Sequence, residues 1–154
     1  RMIYSNTDII LCFSGVGRSF YYKTGTNSSF ALDKDFTDGE NLLSFVENII
    51  KEKNQGRWRY ILLPMDENLG ATLNSYGVPY VVAVPSPNDK DEWVRRWWKS
   101  NATAKQIKDR LDEWYNYFEF NTTVRKFIAP IIYLKSDEWI GNVLSQNPNE
   151  AAKE

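Results

Sequence analysis

Apolar residues follow two alternating rhythms along the chain. Short, almost unbroken runs, Asp8 to Phe13, Tyr60 to Leu63, Tyr80 to Val84 and Pro130 to Leu134, read as strands covered on both faces. Ser29 to Leu32 reads as a further short strand, ending at Asp33-Lys34-Asp35. Between these runs the apolar positions fall at helical spacing. Leu42, Leu43, Val46, Ile49 and Ile50 follow a Thr37/Glu40 capping box, and Leu69, Leu73 and Tyr76 recur on one face before Gly77 and Pro79. Asp89 with Glu92 opens a helix through Trp93 to Lys99, and Ile107, Leu111, Trp114 or Tyr115, and Phe118 mark the next. Ser136 caps a last helix that buries Ile140, Val143 and Leu144. Strand and helix alternate throughout, which predicts an α/β domain with a parallel sheet between helical layers. Asn121 to Lys126 is a polar connection, and 146–154 is a polar tail.

The first strand runs into Ser14-Gly15-Val16-Gly17-Arg18-Ser19 and then into the aromatic residues Phe20, Tyr21 and Tyr22. A buried strand, a glycine turn and a hydroxyl at a helix start together suit a phosphate, because glycines let the backbone approach an anion and first-turn N–H groups point at it. Against the pattern G-x-x-x-x-G-K-[ST], Cys12 stands at the first glycine and Arg18 at the lysine. The same glycines also suit an ordinary strand-to-helix turn. Asp33 and Asp35, beyond a strand end, are placed to share a crevice with this turn or to sit in solvent.

The second informative stretch is Trp93-Val94-Arg95-Arg96-Trp97-Trp98-Lys99. Trp93 and Trp97 share a helical face, and Arg95, Arg96 and Lys99 make a basic flank. An anion-binding lid, a stacking platform for single-stranded nucleic acid and a protein-binding patch all fit, as does a core helix with snorkelling cations.

Composition removes several alternatives. The chain has 154 residues, 42% of them hydrophobic, enough for one domain with its own core spanning 1–154. A net charge of -1 supplies no global field for nucleic acid or an anionic membrane. Absence of histidine excludes histidine triads and histidine metal ligation, and the single cysteine, Cys12, excludes a disulfide within the chain and points to a reducing compartment. No window resembles a signal peptide or an apolar span of about 18 residues, so a cytoplasmic protein is expected.

FSGVGRS, the LDKD turn, YILLP, YGVPYVVAVPSP and DEWVRRWWKS, in that order from about Ile9 to Leu144, closely resemble small phage-encoded P-loop proteins similar to adenylate and deoxynucleoside monophosphate kinases. The resemblance implies a three-layer fold with a five-stranded parallel sheet in the order 2-3-1-4-5, and a lid-like helical segment at about 86–103 of this sequence. It also implies ATP and Mg2+ as cofactors, a nucleotide or similar small phosphoryl acceptor as partner, and the cytoplasm of an infected bacterium as location. Position by position, Ser14, Gly15, Val16, Gly17, Arg18 and Ser19 match the phosphate loop, with Ser19 as the magnesium ligand and Arg18 where a catalytic lysine stands. Asp33 matches an acidic residue facing the acceptor. Arg96, with Arg95 and Lys99, matches lid cations that clasp the transferred phosphate. Pro64 stands where a second acidic metal ligand belongs. Two expectations follow: ATP-dependent phosphoryl transfer, or an inactive kinase-like protein that sequesters nucleotide or binds a host defence protein through Trp93, Trp97 and Trp98.

Overall fold

Strand β1 (Asp8–Cys12) sits at the middle of the sheet, with Ile9, Ile10, Leu11 and Cys12 all buried. The computed structural model describes residues 3–36, 40–120 and 127–144. In chain order β1 is followed by α1 (Arg18–Lys23), β2 (Ala31–Asp33), α2 (Leu42–Asn54), β3 (Tyr60–Pro64), α3 (Glu67–Ser75) and β4 (Val81–Pro85). Then come α4 (Lys90–Lys99), α5 (Ala104–Trp114), β5 (Ile131–Leu134) and α6 (Ile140–Val143). The sheet has five strands in the order β2-β3-β1-β4-β5, all parallel, with helices on both sides, as the alternation and the resemblance led one to expect.

Register fixes what meets at the carboxyl edge. Cys12 pairs with Pro64 on one side and Ala83 on the other, so the glycine turn leaves the sheet directly beside the ends of β3 and β4. Open α/β sheets hold ligands in this crevice, where successive crossovers diverge.

Local chemistry differs from expectation at three helix starts. Asn41, not Thr37, caps α2: its side-chain oxygen accepts from the Ser44 N–H at 3.2 Å, and Thr37 lies outside the described residues. The cap thus lies four residues beyond the expected one, and Phe45, Val46 and Ile49 form the buried face of the helix while Leu43 is exposed. Ser136 does not cap the last helix. α6 begins only at Ile140, with the Trp139 N–H donating to Asn142 Oδ1 at 2.6 Å, and Val143 is exposed. α5 has a cap that the pattern reading passed over, a Thr103/Gln106 capping box with reciprocal bonds of 3.1 and 2.8 Å. It ends in a π-helical turn, Tyr115–Phe120, rather than continuing as α-helix through Phe118.

α4 turns its aromatic face wholly inward. Trp93 and Trp97 are fully buried and, with Trp114, are among the largest side chains in the core. Phe13 stands in the middle of this aromatic layer, stacked with Trp97 and edge-on to Trp114. No helix among the described residues is long and apolar enough to cross a membrane.

Candidate functional site

The polypeptide leaves β1 through two glycines whose φ angles, +93° at Gly15 and +94° at Gly17, are open to glycine and costly for other residues. Gly17 is also the N-cap of α1 and brings no side chain to cap it, so the first-turn N–H groups receive no side-chain oxygen from the cap position. Gly15 is needed for a second reason: a Cβ there would lie 2.6 Å from Trp97 Nε1 and 2.8 Å from Arg110 Nε. The Trp97 indole N–H donates to the Gly15 carbonyl at 3.0 Å. In a trans peptide this turns the Val16 N–H to the opposite side. The Val16 carbonyl accepts from the Ile140 N–H at 2.8 Å, so α4 and α6 hold the turn by its carbonyls. Val16 serves through its backbone, since its side chain is fully buried.

A cleft of about 390 Å³ opens beside this turn. Its walls are the Cys12 to Phe20 segment apart from Val16, together with Pro64 and Met65 from the end of β3 and Arg110 and Glu113 from α5. A second, more apolar chamber of about 370 Å³ adjoins it, lined by Gly15, Gly17, Phe20, Trp97, Ser100, Arg110 and Trp139. Gly15, Gly17, Phe20 and Arg110 belong to both walls. Arg110 and Glu113 escaped the sequence reading because their helix looked like packing. The only available signal was that they lie three apart on α5 and so share a face.

Arg110 Nε lies 3.4 Å from Ser14 Oγ, and its guanidinium carbon lies 5.4 Å from the centre of the Trp97 ring. Burial lowers its pKa from the usual arginine value, with Glu113 acting in the other direction. Among the described residues it makes no ion pair. The Ser14 backbone N–H and Arg110 both favour the charged form of Glu113. Burial nevertheless raises its pKa above the usual glutamate value, outweighing Ser14 and Arg110.

Arg18 does line the cleft, but its guanidinium is committed elsewhere. Nη1 lies 3.3 Å from Asp33 Oδ1 and donates to the Lys34 carbonyl, also at 3.3 Å, while Nη2 bonds Asp35 Oδ1. Asp33 is therefore tied to Arg18, and Asp35 pairs with the same guanidinium while its side chain stays exposed. Burial raises the Asp33 pKa despite the neighbouring Arg18, and its Oδ1 receives no hydrogen bond of good geometry.

The expected lid cations are not brought to the turn. Arg96 lies between two rings, 4.3 Å from Trp93 and 3.7 Å from Trp139, and Nη1 donates to the Glu138 carbonyl at 2.6 Å. Helical geometry places it one residue from Trp97, on the side that meets the β5–α6 connection. Arg95 pairs with Glu92 on the exposed face, and Lys99 is exposed beyond it. Trp93 and Trp97 cannot anchor a partner, since both are fully buried; Trp98, 54% exposed, is the tryptophan of this stretch that reaches solvent.

The residues present do not form a preformed magnesium site. Magnesium takes oxygen ligands, commonly one or two carboxylates beside substrate phosphates. Of the cleft-lining residues, Ser14 and Ser19 offer hydroxyls and Glu113 a single half-buried carboxylate. Pro64 supplies no ligand at the end of β3, and no group of three acidic or cysteine side chains able to hold a metal occurs among the described residues.

No protein-family model matches the chain, and no curated protein matches it.

Proposed function

We propose that the protein binds a nucleotide through its phosphates at the Gly15 to Ser19 turn, as a P-loop kinase-like module that holds its ligand without efficient phosphoryl transfer. The observation that carries this reading is the cleft itself, in which an uncapped helix start, two positive-φ glycines and an arginine without an ion pair among the described residues meet at the carboxyl edge of β1. The apolar chamber beside it has walls of Trp97, Trp139 and Phe20, a setting suited to a planar base. Reduced transfer follows from where the charges are spent. Phosphoryl transfer depends on cations placed on the moving group, yet Arg18 is held by Asp33 and Asp35, and Arg96 by its two tryptophans.

Titration calorimetry with ATP tests the reading. Wild-type protein is expected to bind and to show no turnover near the roughly 1 to 100 per second of ordinary kinases. Gly17→Val, whose Cβ meets Trp139 at 3.3 Å where φ is positive, is expected to weaken ATP at least about 10-fold, or about 1.4 kcal/mol. Circular dichroism confirms that the variant is folded. Equal affinity in a folded Gly17→Val protein would remove the turn from the site, and turnover at kinase rates would return the protein to the enzymes.

A further inference from the structure

We propose that this cleft takes its phosphate anion without a divalent cation, Arg110 supplying the positive charge that a metal ion would otherwise bring. The inference rests on the phosphate-binding reading and adds to it the means by which ligand charge is met. The carboxylates around the turn already have cations beside them: Asp33 and Asp35 form ion pairs with Arg18, and Glu113 lies in the field of Arg110 without an ion pair among the described residues. The end of β3, one register step across from Cys12, is a proline. A cation entering here would therefore have to displace existing partners, while an anion would not.

Arg110 is arranged for the opposite sign. It borders both chambers, its guanidinium is partly desolvated, and no carboxylate pairs with it among the described residues. Charged hydrogen bonds formed by a guanidinium are strong and can be bidentate to phosphate, which makes arginine suited to this task. The absence of a side chain at Gly15 is what admits it: a Cβ would lie 2.8 Å from Nε and 2.9 Å from Cδ. Placement of the cation and geometry of the turn are thus one feature.

The test uses the full chain, with ATP and inorganic pyrophosphate as probes, titrated once in EDTA and once in magnesium chloride. Tryptophan fluorescence is a second readout, because Arg110 lies over Trp97. Affinity for both probes is expected to be the same in the two buffers. Arg110→Gln is expected to weaken both by about 10- to 150-fold, the range for a hydrogen bond to a charged group, and Arg110→Lys by less. Melting curves establish that each variant folds. Binding that requires magnesium would overturn this inference while leaving the phosphate site standing. Metal-independent binding unaffected in folded Arg110→Gln and Arg110→Lys would overturn the role of Arg110. Absence of binding by wild-type protein in both buffers would overturn the inference together with the reading beneath it.

Discussion

Two half-buried acids and a buried thiol carry the clearest residue-scale consequences. Glu113 has a pKa raised above its ordinary 4.5, chiefly by burial, so the folded state binds its proton more tightly than the unfolded state does. The contribution to stability is therefore fully present below the ordinary glutamate value and is lost as pH rises through the folded one. Asp33 acts in the same direction from 3.8, again with burial the largest cause. Glu113→Gln keeps an oxygen for the Ser14 N–H and removes the charge. The variant is expected to melt higher than wild type near neutral pH and to converge with it in acid, a difference that thermal melts at several pH values measure. A gap that is constant with pH would contradict the assignment. Cys12, pushed up to about 12 by burial, is a structural thiol: it is expected to resist a thiol reagent in the native protein and react only on unfolding. Residue types were plain in the sequence, but partnerships were not, since the contact between Arg110 and Ser14 spans 96 positions.

At the scale of elements, periodicity made the five strands legible, although Ser29 lies in a 3-10 turn and β2 begins only at Ala31; the four-residue spacing of Trp93 and Trp97 showed that they share a face of α4 but left open that the face turns inward. What it could not register was the destination of a side chain on the boundary of that face. Arg96 read equally as a lid cation, yet it is drawn toward Trp139, a residue 43 positions later that no local pattern connects to it. The correction changes the expected outcome of mutating it. Arg96→Ala is expected to destabilise the protein by about 2 kcal/mol, the scale for a desolvated cation–π contact, while leaving ATP affinity unchanged. Urea unfolding and calorimetry on the same sample separate the two effects. A stable variant that binds ATP weakly would restore Arg96 to the phosphate site. The start of α6 was missed for a related reason: Ser136 precedes acidic residues as a cap should, but Trp139 and Ile140 hold the chain to the tryptophan cage and the Val16 carbonyl, and the helix begins there instead.

For the molecule as a whole, the alternation of strand and helix predicted a parallel sheet, while its order was implied only by the resemblance; the cleft follows from that order, because Cys12, Pro64 and Ala83 end side by side and the glycine turn projects past them. The direct test of the claim built on this is an amide-resolved NMR titration with ATP. Shifts are expected at the N–H groups of Gly15, Gly17, Arg18 and Ser19 and at the side chain of Arg110, with the indole signals of Trp97 and Trp139 following as the chamber fills. A spectrum that ATP leaves unchanged, or changes confined to the exposed surface around Trp98, would contradict it.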